Sequence, residues 1–238
     1  MVVQDRDGTG RARGPARTAV APATMARMRA VVQSVNVGVP VQIGVRRGRP
    51  VRSAIAKAPV AGPVTAGPTG LDGDGQADLR VHGGPDKAVY AYAAEDVAWW
   101  AQELDREDLG PGALGENLTT AGIDLAAARL GDRWSVGGTL LEVCQPRIPC
   151  FKLGLRFGDP GMVRRFAHAR RPGAYLRVLE PGAVRAGDRI ELVARGAHEL
   201  TIAAAFELLA HDRERCAELL AWPGLPVQLR DAIARLAA

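Results

Sequence analysis

Gly131-Asp-Arg-Trp-Ser-Val-Gly-Gly-Thr-Leu-Leu-Glu-Val-Cys-Gln-Pro-Arg-Ile-Pro-Cys-Phe-Lys-Leu153 sets out the pattern on which the rest of the chain is built. A Gly-Asp turn leads into a strand over 133–136, and the chain returns as a second strand over 139–145. The same Gly-Asp-Arg turn recurs at 187–189 ahead of a strand over 189–193. Working outward, 30–37 is a β-branched strand bounded by Gly38, and 41–45 with 51–57 predicts a hairpin turned at Arg47-Gly48. Further strands are expected over 77–81, 88–92 and 174–179, and the Gly/Pro/Asp-rich stretch 61–76 reads as loop. Short helices are expected over 94–104, with Val97, Trp100 and Leu104 on one stripe, and near 162–169. Many short strands, few helices and no alternating βα register predict a mainly β fold with some α, a closed or nearly closed β-barrel.

From Thr201 the character changes. Ile202, Phe206 and Leu209 share one helical face, Leu219 and Leu220 a second, and Leu229, Ile233 and Leu236 a third. Asp212 is the expected N-cap, and Trp222-Pro-Gly224 breaks the second helix from the third. The expected organisation is a disordered basic extension over 1–29, a barrel domain over 30–196 and a three-helix segment over 197–238. The C-terminal helices are candidates either for a homodimer contact or for a cover over the site.

A net charge of +5 invites a nucleic-acid partner, but its distribution argues against one. Six arginines against two aspartates crowd into residues 1–29, a Gly/Pro/Ala/Arg-rich leader that cannot build a core, and the remainder is close to neutral. Met25 and Met28 stand just ahead of the first strand pattern, which favours an extension arising from start-codon choice over a cleaved transit peptide. No apolar run approaches the length of a membrane span. Three irregularly spaced cysteines argue against a disulfide framework and for a reducing cytoplasm.

Chemistry concentrates in a few loops. In Gln145–Leu153, Cys150 lies between Arg147 and Lys152 on a loop stiffened by Pro146 and Pro149. Nearby cations favour a thiolate, the form that attacks electrophiles and binds soft metals. The chain has only three lysines, Lys57, Lys87 and Lys152, and all fall in such loops. A compact ammonium differs from a guanidinium, so their retention suggests specific use. His82-Gly83-Gly84 sets an imidazole beside backbone that a ligand can approach closely, and Gly115-Glu-Asn117 offers a carboxylate and an amide, Asn117 reading equally well as a left-handed turn residue. Trp99 and Trp100 read as packing residues, Cys216 as core, and His168, His198 and His211 as surface residues. The stretch 72–83 fails as a calcium loop, with Ala77 where glycine is needed and Gly83 where the bidentate glutamate belongs. Cys144 and Cys150 lack the Cys/His pair that would complete a zinc site.

Taken in order, Ser53-Ala-Ile-Ala-Lys57, Val81-His-Gly-Gly-Pro-Asp-Lys-Ala88, Gly115-Glu-Asn-Leu-Thr119, Gly131-Asp-Arg-Trp134 and Gln145–Leu153 resemble the MOSC (molybdenum cofactor sulfurase C-terminal) domain family, most closely its YiiM-like branch. The resemblance runs from about Ala30 to the C-terminus. It implies a β-barrel related to the pyruvate-kinase barrel, and a pocket for the molybdenum cofactor. It also implies that Cys150 is either the protein's ligand to molybdenum or a persulfide-bearing sulfur carrier; the residues alone do not separate these uses. Lys57, Arg80, His82, Gly83, Gly84, Lys87, Asn117, Arg147 and Lys152 are the expected cofactor-binding residues, with His82 or Asp86 as proton donor. The expected activity is reduction of N-hydroxylated compounds, such as hydroxylaminopurine-like bases, to amines. Without a flavin or nicotinamide fingerprint in the chain, electrons are expected from a separate reductase.

Overall fold

The computed structural model describes residues 29–77, 83–212 and 214–237. Most of the expected basic extension, the strand expected over 77–81 apart from Ala77, and the candidate residues Arg80 and His82 lie outside the described residues. The strands are β1 Val31–Val37, β2 Val41–Arg46, β3 Arg49–Ser53, β4 Ala58–Pro59, β5 Val64–Gly67, β6 Gly70–Leu71 and β7 Val89–Ala93. They continue as β8 Leu118–Ala121, β9 Arg133–Val136, β10 Thr139–Pro146, β11 Ala174–Glu180, β12 Gly182–Val184 and β13 Ile190–Ala194. The helices are α1 Ala94–Glu103, α2 Phe151–Phe157, α3 Met162–Ala169, α4 Ile202–Ala210 and α5 Val227–Ala237.

Eight strands form one sheet in the order β13-β9-β10-β11-β7-β8-β1-β4. All neighbours run antiparallel except β7 and β8, whose parallel pairing requires a long crossover, and α1 supplies it. The ladder order is open, but the sheet curls back on itself. Val32 N donates to Asp188 O at 2.8 Å, Gly187 N to Val32 O at 2.8 Å and Ile190 N to Ala30 O at 2.9 Å, joining the first strand to the entrance of the last. A three-stranded sheet, β12-β5-β6, lies beside this body, and β2-β3 stands apart as a two-stranded ribbon. Its turn is at Arg47-Gly48, with φ of 51° and 72°, the expected place. Its second strand ends at Ser53, which leaves Lys57 outside the ribbon.

β7 is buried along its whole length because both its faces are covered. Val89, Ala91 and Ala93 join the core inside the curled sheet, with Leu118, Leu141, Val143 and Leu176. Tyr90 and Tyr92 point the other way, into a second cluster roofed by Trp100 of α1, Leu153 of α2 and Phe166 of α3. Trp100 is a packing residue, as expected, and its indole Nε1 donates to the Tyr92 hydroxyl at 2.8 Å.

Three expectations need correction. The stretch 61–76 is not all loop, since β5 and β6 form there by pairing with each other and with β12, a partner more than a hundred residues on. The second C-terminal helix, over Cys216–Ala221, is 3-10; its N-cap is Arg215 with no side-chain cap, and Asp212, the expected cap, lies three residues earlier, where it accepts from Arg215 N at 3.2 Å. And α2 begins directly after Cys150, where the sequence suggested only a loop.

The C-terminal segment does not fold on itself alone. Ile202, Ala205, Cys216, Leu219, Trp222 and Ile233 belong to the same cluster as the interior of the sheet. Ile202→Ala, at a fully buried site, is therefore expected to destabilise the whole body by about 2–5 kcal/mol. Calorimetry should give one transition at lower temperature; a separate low-temperature transition with the main one unmoved would contradict the shared core.

Candidate functional site

The site lies on the roofed, outer side of the sheet. Four segments meet there: residues 53–57 from the end of β3 onward, 74–77 after β6, Lys87 ahead of β7 with Tyr90 within it, and 147–152 from the end of β10 into the first turn of α2. Gly115, Asn117 and Tyr175 complete the wall. All three lysines of the chain, Lys57, Lys87 and Lys152, line this one cleft, together with Arg147 and Cys150.

Arg147 is the deepest of the cations. It leaves β10 between Pro146 and Pro149, is 7% exposed, and donates from Nη1 to the Leu114 carbonyl. Its guanidinium lies 5.1 Å from the centre of the Tyr90 ring and 5.5 Å from that of Phe166. Burial works against its charge, yet its pKa lies above the ordinary arginine value, because ionising a neighbouring Tyr90, Tyr175 or Cys150 would only hold the cation more firmly.

The 110–116 loop is folded around its own buried carboxylate. Glu116 Oε1 accepts from Gly112 N at 2.6 Å and from Thr119 Oγ1 at 2.9 Å, and Oε2 accepts from Leu114 N at 3.1 Å. Burial is the main influence on Glu116 and raises its pKa, with the three donors opposing it. Two glycines let this loop press onto the 55–57 segment. Both have positive φ, and a Cβ would stand 2.6 Å from Lys57 O at Gly112 and 2.8 Å from Ile55 Cγ1 at Gly115.

Asn117, expected to contact a ligand, is occupied elsewhere. Its Oδ1 accepts from Tyr90 N at 3.1 Å, and its Nδ2 donates to Asp74 Oδ2 at 2.9 Å and to Asn36 O at 3.3 Å. It is not a left-handed turn residue either. Asp74, read in the sequence only as part of a failed calcium loop, organises this wall. It accepts from Gly38 N at 2.8 Å and from Asn117, and forms a buried ion pair with Lys57. Burial lowers the pKa of Lys57, and Asp74 counteracts it. Burial likewise lowers that of Lys87.

Asp86 is not at the cleft. Its carboxylate accepts from Arg177 Nε at 2.7 Å, and Arg177 reaches on to Glu142 at 3.0 Å, so this candidate proton donor belongs to an ion network on another part of the sheet. Gly83 and Gly84 do not line the cleft; Gly84, with φ of 93°, starts the short 3-10 turn Pro85–Lys87 that delivers Lys87. Tyr90 and Tyr175 were not anticipated. Their rings lie 4.9 Å apart, the Tyr90 hydroxyl donates to Pro172 O at 2.8 Å, and burial pushes both phenols up in pKa, so they stay neutral.

None of the three cysteines is in a disulfide. Cys144 is fully buried, and burial pushes its thiol up to about 12. Cys216 is core, and Cys150 is half-buried at the cleft. At pH 8 iodoacetamide is therefore expected to modify Cys150 in the native protein, and Cys144 and Cys216 only after unfolding. Peptide mass spectrometry reads this directly; native labelling of Cys144 at the rate of Cys150 would contradict the assignment.

Comparison with known proteins agrees with this geometry. The MOSC domain profile matches residues 78–191. The chain is 39% identical over 188 residues to YflK of Bacillus subtilis (strain 168), covering 79% of this chain and 84% of that protein. It is 36% identical over 184 residues to YiiM of Escherichia coli (strain K12), covering 75% and 80%. A Gibberella moniliformis (strain M3125 / FGSC 7600) protein named Reductase is 40% identical over 151 residues, 62% of this chain but 27% of that longer protein. The crystal structure of YiiM from Geobacillus stearothermophilus superposes with a TM-score of 0.72 at 32% identity, covering 88% of this chain and all of the other. The chain thus belongs to the MOSC domain family, in its YiiM-like branch.

Proposed function

We propose that the cleft binds a molybdopterin-type molybdenum cofactor with Cys150 as the protein's ligand to the metal, and that the protein reduces N-hydroxylated compounds, hydroxylaminopurine-like bases among them, to amines. The observation that carries this reading is the convergence of four cations and one thiol on a single cleft in which, among the described residues, the wall holds one carboxylate, Asp74. Such a surface suits an anionic ligand with a soft metal at one end. Among the described residues no group of three or more His, Cys, Asp or Glu side chains gathers to hold a metal ion, which suits a metal whose other ligands arrive with its cofactor.

Lys57, Lys87, Arg147 and Lys152 would hold the phosphate and pterin edges. When bound, the cofactor supplies the two-electron reduction. The chain's residues provide the setting. Asp74 and Asn117 fix the wall that carries Lys57, and the neutral rings of Tyr90 and Tyr175 give it an apolar floor. His82, immediately ahead of the turn that delivers Lys87, is the proposed proton donor. The name of the Gibberella relative supports reductive chemistry. Three cysteines that form no disulfide with one another support a reducing cytoplasm, and no described helix is long and apolar enough to cross a membrane.

Protein isolated from cells that make the cofactor is expected to carry stoichiometric molybdenum and to reduce 6-hydroxylaminopurine with a chemical electron donor. Cys150→Ser should abolish activity, and Lys152→Met should weaken cofactor retention roughly tenfold, the loss of one charge-assisted contact. Metal-free protein that releases sulfur to cyanide, and loses that sulfur in Cys150→Ser, would instead support a sulfur carrier.

A further inference from the structure

The β2–β3 ribbon is the least explained part of the molecule. Among the described residues it pairs with no other strand, and one side leans on α2, where Gly44 faces Leu155 and the Arg46 guanidinium sits 4.0 Å from the centre of the Phe151 ring. The rest of the ribbon is largely exposed. Of seven large exposed hydrophobic residues among those described, four gather here and on the adjoining rim of the cleft: Val39, Val41, Val45 and Ile148. The charge is one-sided as well. No carboxylate occurs in the sequence between Asp7 and Asp72, while the ribbon carries Arg46, Arg47, Arg49 and Arg52. Arg46, Arg47 and Arg49 meet no carboxylate among the described residues, whereas on the body Arg133 and Arg171 each hold one and Arg177 holds two.

An exposed apolar patch rimmed by unopposed arginines is a contact surface for an acidic protein. Its position says which kind. The ribbon runs directly into residues 53–57 of the cleft wall, and Phe151, on which Arg46 lies, is the neighbour of Cys150. We infer that the ribbon and the Ile148 rim form the docking site for an acidic electron-carrier protein bearing a flavin or an iron–sulfur cluster. This rests on the reductase reading above. Reducing R–NHOH to R–NH2 and water consumes two electrons and two protons; two one-electron carriers docking in turn, or one fully reduced flavin carrier, are oxidised by those two electrons, and solvent supplies the protons.

The test uses the cofactor-loaded full chain, with an acidic flavodoxin and an acidic [2Fe–2S] ferredoxin as probes. Binding to the oxidised carriers is measured by calorimetry, and turnover of 6-hydroxylaminopurine is driven either by the reduced carriers or by reduced methyl viologen. At least one carrier is expected to bind at low salt and to weaken as salt rises. The double variant Arg47→Glu, Arg49→Glu should lower carrier binding and carrier-driven kcat/KM by about tenfold or more, with viologen-driven turnover and thermal stability unchanged. Undiminished carrier binding by the variant, or binding by neither carrier, overturns the inference. So does arginine-dependent binding of a single-stranded oligonucleotide in place of the carriers. Absent viologen-driven turnover with arginine-dependent carrier binding intact would count against the reductase reading and leave the docking surface standing.

Discussion

A single buried guanidinium holds the site together. Arg147 ties the exit of β10 to the carbonyl of Leu114, fills the space between the rings of Tyr90 and Phe166, and sits beside Cys150. A charge at this depth is tolerated only where dipoles and aromatic faces replace water. The segments that supply them, the 110–116 loop, β7 and α3, are thereby held in one arrangement. Glu116 does the complementary work from the other side, drawing three donors around a carboxylate so that Leu114 presents its carbonyl to Arg147. The thiol of Cys150 has its place because these two opposite charges are buried in neighbouring segments.

The sheet serves two purposes on its two faces. One closes on a dry core that also takes in the C-terminal helices. The other carries the tyrosines and the cleft, roofed by short helices. Alternation along β7 is what separates them, small aliphatic residues inward and tyrosines outward.

Much of this could be read from the chain in advance. The short strands, the Arg47-Gly48 turn, α1 and α3 follow from local spacing, and the gathering of Cys150, Arg147 and the lysines follows from the order of motifs that also reveals the family. Asp74 was hidden because its role is made by distance. Gly38, Lys57 and Asn117 approach it from three segments, and nothing adjacent to it in sequence announces them. Helix α2 was hidden by Gly154, which reads as a breaker. Its lack of a side chain suits a tight approach, since a Cβ would stand 3.0 Å from Asp159 O and push on that backbone. Asp86 misled for the opposite reason: next to Lys87 in sequence, it turns to Arg177, far along the chain, instead.

The confinement of all three lysines to the cleft has a practical side. Most proteins scatter primary amines over their surfaces, and amine chemistry is the usual way to tether, label or cross-link them. Here every side-chain amine lies at the ligand's expected seat, so amine-directed acylation reports on the cleft instead of the surface. Immobilising the protein through its lysines, or through Cys150, would obstruct the cleft itself, and handles for attachment have to be sought among carboxylates or the chain terminus.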